Sequence, residues 1–153
     1  MKSLWSDAEA AQYSGPLGPR VYTSRLLGRD KSLVLHGGGN TSVKIREKNL
    51  FGEEEDILYV KGSGWDLETI EAPGFTPVSL GYVKRLAQLP TLSDPQMVNE
   101  LATHTLRSGA PAPSVETILL DSGKQMRYAE RSFRPDGSEG ETLHFHFNSG
   151  SGS

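Results

Sequence analysis

The amino-acid sequence predicts a mixed α/β fold, and three observations carry that prediction. Capped segments with an apolar side open the chain, short runs of branched residues bounded by glycine turns follow, and helical patterning returns near Pro77. At 153 residues the chain is about one domain long, enough to bury a core.

In order, Ser6 to Gln12 reads as a first helix, with Ser6 as N-cap and Glu9 three residues on completing a capping box; Ser14-Gly15-Pro16 ends it. Pro19 opens a second helix in which Val21, Tyr22, Arg25, Leu26 and Leu27 line one side, and Gly28 is expected to stop it. Leu33 to Leu35, Thr41 to Ile45 and Ile57 to Val60 read as strands. Helices are then expected from Pro77 to Leu89 and from Asp94 to Arg107, the latter opened by Ser93, Asp94 and Pro95. Beyond Leu120 the character changes. Asp121 to Glu141 is polar with one weak helix over Lys124 to Arg131, Leu143 to Phe147 alternates as a strand does, and Asn148 to Ser153 has the composition of a linker. The expected organisation is therefore 1–120, 121–147 and 148–153.

Composition narrows the function classes. Sixteen basic and nineteen acidic residues, for a net charge of −3, are interspersed with no basic stripe, so nucleic acid is not an expected partner. The absence of cysteine removes disulfides, thiolate metal sites and cysteine nucleophiles. No run approaches membrane-spanning length and the start lacks a signal pattern, which predicts a cytoplasmic protein without a membrane partner.

The chemistry concentrates in two glycine-rich turns, His36-Gly37-Gly38-Gly39-Asn40-Thr41-Ser42-Val43-Lys44 and Val60-Lys61-Gly62-Ser63-Gly64-Trp65-Asp66. Glycine admits φ > 0 and close ligand approach, and successive N–H groups then form an anion-binding concavity. A phosphorylated small molecule is the expected ligand. The first turn fits neither the P-loop nor the dinucleotide fingerprint, since no Gly-Lys-Ser/Thr follows and Ser42 stands where the third glycine belongs. A plain tight turn explains the first motif equally well taken alone; the second motif shifts the balance.

Glu116 lies between a proline-restrained stretch and an apolar run, where a carboxylate could be fixed at a pocket's edge, although a helix first-turn acid is the simpler reading. His144 and His146 share one face of a predicted strand and could share a metal, yet a catalytic zinc takes three protein ligands. An edge-strand alternation explains the pair as well. His36 abuts the glycines, His104 reads as polar filler in a helix, and Trp5 and Trp65 are expected to bury apolar area.

Five segments in order carry a resemblance: Arg20 to Gly28, His36 to Lys44, Val60 to Leu67, Ser93 to Glu100 and Pro113 to Thr117. From about Trp5 to Leu120 the chain resembles the class II aldolase/adducin family, in particular the branch whose members join a rhamnulose-1-phosphate aldolase to an alcohol dehydrogenase. The resemblance implies a three-layer α/β/α fold around a mostly antiparallel sheet, incomplete at the C-terminus, and zinc-dependent cleavage of a ketose 1-phosphate into dihydroxyacetone phosphate and an aldehyde. It also implies that Gly39, Asn40, Ser63, Gly64 and Ser114 hold the phosphate and that Glu116 moves the proton. His144 and His146 would hold zinc, but they follow Glu116 by 144 − 116 = 28 residues, further than the family pattern, with no later histidine. The dehydrogenase half has no counterpart, so its nicotinamide is not expected. The resemblance further implies a homo-oligomer. The other reading is a non-catalytic sugar-phosphate-binding or adducin-like assembly module.

Overall fold

The structure is a computed structural model; it describes residues 4–35, 37–114 and 116–118 in full, and residues 128–133 and 139–144 as backbone. Short helix α1 spans Asp7–Ala10, and α2 spans Gly18–Arg29 with Pro19 in its first turn, where its missing N–H costs nothing. Three strands, β1 (Ser42–Lys48), β2 (Glu54–Lys61) and β3 (Phe75–Ser79), form an antiparallel sheet in that spatial order. Helices α3 (Leu80–Leu86) and α4 (Asp94–Thr103) follow, and β4 (Tyr128–Phe133) pairs with β5 (Glu139–His144) as a separate two-stranded sheet.

Alternation along β2 sets the core. Leu58 packs with Val78 and with Leu80, Val83, Leu86 and Leu101 of α3 and α4, whereas its neighbour Tyr59 packs on the opposite face against Val21 of α2, Ile70 and Phe75. The sheet therefore has apolar contacts on both faces, and the ends of β1, β2 and β3 are held in register by it. Among the described residues no helix is long and apolar enough to cross a membrane.

Several expected elements differ. Leu33 to Leu35 form no strand. Their chain closes the end of α2 in a turn, with Leu33 and Val34 N–H donating to Asp30 O at 3.0 Å each and the Asp30 carboxylate accepting from Ser32 N–H. Gly28 does not stop α2 but lies inside it, because a Cβ there would collide with the backbone of Glu68. Residues 77–79 are strand rather than helix. Pro77 sits opposite Tyr59 on an edge strand with its carbonyl facing outward to Leu106 N–H at 2.9 Å, so its lack of an N–H breaks no ladder bond. Helix α4 ends at Thr103, short of Arg107. Residues 128–131 are in β4, not in a helix. Trp5 is 47% exposed rather than buried, and it meets Tyr22 edge-on at 5.0 Å.

The first capping box forms by half. Ser6 Oγ accepts from Glu9 N–H, but Ser6 N–H donates to the Tyr22 hydroxyl, which in turn donates to Glu9 Oε2 at 3.3 Å. A buried tyrosine of α2 thus takes the place of the reciprocal arm. Ser93 and Gln96, by contrast, close a complete box at the start of α4.

Candidate functional site

The site is built where three segments meet at the Lys61 end of β2. The first is the glycine turn that leads into β1. Gly37 and Gly39 both have φ of +76°, a left-handed conformation that a side chain disfavours, and a Cβ on Gly39 would lie 2.7 Å from Leu67 Cδ1. The turn delivers Asn40 and Thr41. Thr41 is 7% exposed and turns away from the turn's open side: its Oγ1 lies 2.8 Å from Ser24 Oγ of α2, and its carbonyl accepts from Lys61 N–H at 3.0 Å. The Thr41 hydroxyl is thus used by α2.

The second segment is Gly62-Ser63-Gly64. Gly62 bridges Pro113, Ser63 N–H donates to Ala112 O at 2.9 Å, and Gly64 has φ of +85°. Ser63 and Gly64 are exposed. The third segment, 111–118, is locked across the sheet end. Thr76 Oγ1 donates to Pro111 O at 2.6 Å, buried Thr117 donates its N–H to Ser114 O at 3.0 Å, and Ile118 packs on the Leu58 cluster.

These anchors bring two sequence-predicted residues, Ser114 and Glu116, onto a third, Asn40. The Asn40 amide donates from Nδ2 to Ser114 Oγ and to Glu116 Oε2, the latter at 3.4 Å. Its Oδ1 is buried with no hydrogen-bond partner among the described residues, which leaves an acceptor for an arriving donor. Gly39 adjoins Asn40, and the Ser63-Gly64 turn joins the same cluster through Ala112 and Pro113. Residues from all three motifs therefore border one partly exposed region.

A residue that the sequence reading did not single out completes the arrangement. Lys61 is 7% exposed. Burial pushes its ammonium below the usual lysine range, and the negative charges of Glu116 and Asp66 oppose that shift. The available signal was a lysine continuing an apolar strand directly into a glycine turn, a position where a lone charge needs partners.

Among the described residues no three His, Cys, Asp or Glu gather as a metal group. The His144 side chain, His146 and His36 lie outside the described residues. His104 is the C-cap of α4, stacked on the Tyr82 ring at 3.3 Å and bonded through Nδ1 to Glu100 O at 2.8 Å. A concavity of about 270 Å³ at the other end of β2, lined by Glu55, Asp56, Ser79 and Lys84 among others, contains none of the predicted site residues.

No family model matches the chain. It is 38% identical over 119 residues to an uncharacterized oxidoreductase, YuxG, of Bacillus subtilis (strain 168); the matched region is 78% of this chain but 17% of that protein. Its structure is similar, with a TM-score of 0.68 and 38% identity, to the N-terminal class II aldolase domain of a conserved protein from Thermoplasma acidophilum, over 76% of this chain and 53% of that one. The chain thus spans about a sixth of the curated relative and about half of the solved structure it matches. Over the matched three quarters, the chain has a class II aldolase-like α/β fold.

Proposed function

We infer that this chain is a lyase-type domain acting on a ketose 1-phosphate, such as rhamnulose 1-phosphate, releasing dihydroxyacetone phosphate and lactaldehyde. In this reading Gly39, Asn40, Ser63, Gly64 and Ser114 hold the phosphate, and Glu116 moves the proton at the carbon that is cleaved. The observation that carries it is the Asn40 amide bonded to both Ser114 and Glu116, which couples the phosphate turn directly to the only candidate acid/base that the sequence supplied. A carboxylate in such a partly enclosed, hydrogen-bonded position can hold a proton within reach of a bound substrate. Asn40 Oδ1 would accept from a substrate hydroxyl.

Zinc held by His144 and His146 is a further part of the proposal. Two imidazoles fall short of the three protein ligands a catalytic zinc takes, and no step is routed through the metal. If bound, it would polarise the substrate carbonyl. The three-layer architecture and a homo-oligomeric state are proposed on the same resemblance.

Release of dihydroxyacetone phosphate from rhamnulose 1-phosphate, followed by a coupled assay, tests the reading directly, with zinc content read by elemental analysis of freshly purified protein. Turnover lost in Glu116→Gln supports it. No product from any ketose 1-phosphate removes it. The short metal-donor set favours a second reading, a sugar-phosphate-binding or assembly module without turnover; it predicts dihydroxyacetone phosphate binding that Asn40→Asp abolishes, and no cleavage.

A further inference from the structure

The hairpin between β1 and β2 holds out two apolar side chains that no described residue covers. Leu50 and Phe51 are more exposed than any other large apolar side chain among the described residues. The turn that carries them is well ordered: Asn49 Oδ1 accepts from the N–H groups of Phe51 and Glu53 at 2.9 Å and 3.0 Å, Asn49 Nδ2 donates to Glu53 Oε2 and Glu55 Oε1, and Gly52 closes the turn at φ of +80°. Such a tip gives up little further freedom when it docks. At the same end of β2 lies the concavity of about 270 Å³, whose wall includes Leu80, Gly81, Lys84 and the half-exposed Leu106. Gly81 leaves part of that space unfilled. It sits in the ordinary helical backbone of α3, where alanine is the better helix former, and a Cβ there would meet nothing within 4 Å. Neither conformation nor internal packing asks for glycine; room for an incoming side chain does. The hairpin does not serve its own concavity, because its tip stands about 10–15 Å past Asp56 in the wall at the rise of an antiparallel strand. In a second copy running the opposite way, the same spacing brings each tip to the other's concavity.

We propose that two copies of this chain pair about a two-fold axis through their β1–β2 hairpins, each inserting Leu50 and Phe51 into the concavity beside Gly81 of the other. A two-fold contact uses the same pair of surfaces twice and closes. Charge selects the occupant. Glu53 and Glu54 trail the tip, whereas Lys84 lines the concavity and Arg85 follows it, all four exposed, so a second copy brings acid to base. The same carboxylates repel the anionic surface of a membrane, which an apolar tip by itself would favour. The contact is small, and a dimer that dissociates on dilution is the expected species. The pairing gives the proposed homo-oligomer a surface, and it stands apart from the sugar-phosphate reading because none of its residues belongs to the cradle.

Sedimentation equilibrium of the full chain across a dilution series tests the pairing, with thermal midpoints as the control for folding. Wild type should pass from dimer to monomer on dilution. Leu50→Ser combined with Phe51→Ser, and separately Gly81→Leu, which fills the concavity, should each weaken pairing by at least about tenfold with the midpoint no lower. Because the chain has no cysteine, a Phe51→Cys, Gly81→Cys double variant gives a direct readout: oxidation should yield a closed dimer without free thiols. A ladder of larger species or a disulfide within one chain overturns the inference. Wild type that stays monomeric up to its solubility limit overturns it too. A dimer that survives both the tip and the Gly81→Leu variants removes this contact while leaving a homo-oligomer through another surface, and pairing lost in the tip variant alone removes the concavity as its receptor. Cosedimentation with phosphatidylserine-containing vesicles that the tip substitutions abolish assigns Leu50 and Phe51 to a lipid surface and overturns the pairing. Anion binding should be the same in all these variants, so none of these outcomes bears on the sugar-phosphate reading.

Discussion

The two ends of β2 both carry charged groups but treat them in opposite ways. At the Glu54 end, Glu53, Glu54, Glu55 and Asp56 are exposed, Arg46 forms a fork with Asp56 at 2.8 Å and 3.3 Å across the strand pair, and Leu50 and Phe51 stand in solvent at the hairpin tip, 102% and 87% exposed. At the Lys61 end the lysine is buried, Glu116 is bonded to an amide, and backbone from three segments is cross-linked around them. Water screens the first group of charges and weakens their interactions. The second group interacts through protein, so its charge states and its ligands become interdependent. Charge count therefore says little about where this molecule does chemistry; desolvation and neighbours decide it.

The largest break in that comparison comes from neutralising one carboxylate at each end. Glu116→Gln should lower any ketose 1-phosphate cleavage by about 10²–10⁴-fold, the usual loss when a positioned proton-transfer group is removed, with the far-UV spectrum unchanged. Asp56→Asn, at the other end of the same strand, should leave turnover at the wild-type value. Equal losses in both would mean that Glu116 acts through stability and not through the reaction.

Backbone strain offers the next contrast. A Cβ on Gly62 would collide with the Pro111 ring and lie 3.1 Å from Thr76 Oγ1, so Gly62→Ala must push the 111–118 segment away from the sheet end. It should destabilise the chain by about 1–3 kcal/mol, typical of overpacking against rigid neighbours, and loosen anion binding with it. Gly52 in the β1–β2 turn has φ of +80° but open space around it. Gly52→Ala should cost only the left-handed strain of about 1–2 kcal/mol and leave anion binding unchanged. Urea unfolding midpoints with parallel anion titrations separate the two.

An alkaline titration sharpens the comparison further. The Tyr59 hydroxyl donates to Glu47 Oε1 at 2.9 Å, and burial with that bond pushes its ionisation up to about 12 from 10.0. A raised folded-state value means that the unfolded chain releases this proton first. Tyr59 therefore contributes stability that is fully present below about pH 10 and is lost as pH climbs towards 12. Lys61 has the opposite sign: its lowered value makes the unfolded chain hold the proton longer, so its burial penalty is relieved as pH rises towards 10.5. Tyr59→Phe should flatten the fall above pH 10, and Lys61→Met should remove the gain below it, each read from thermal midpoints across pH 8–12.

How far the sequence spoke for this arrangement depended on whether a feature was local. Pro19 at the start of α2, the glycine turns, and Ser93 with Pro95 at the start of α4 are signals within a few residues, and their elements lie where the sequence put them. Asn40 and Glu116 were legible as polar residues fixed by glycine and proline, and they meet in the structure. What was not legible needed a partner far along the chain. Pro77 becomes a strand because Tyr59 pairs with it; Leu33 to Leu35 fail to become one because Asp30 claims their N–H groups for a turn. Lys61 was hidden for the same reason, since Glu116, whose charge acts on it, lies far along the chain.

The smallest effect belongs to the best-formed ion pair at the exposed end. Arg46 and Asp56 make two hydrogen bonds, and their contact lowers the Asp56 carboxyl and raises the Arg46 guanidinium, features that invite a stabilising role. Both side chains are about half or more in water, at 65% and 47% exposure, where ordering two long side chains and screening offset the attraction. Arg46→Ala should therefore leave the urea midpoint within error of wild type at 0.15 M salt, and anion binding at the Lys61 end untouched. A clear drop in stability, or any change in anion affinity, would show that the two ends of the hairpin are coupled through the sheet, and the contrast between screened and desolvated charge would no longer separate them.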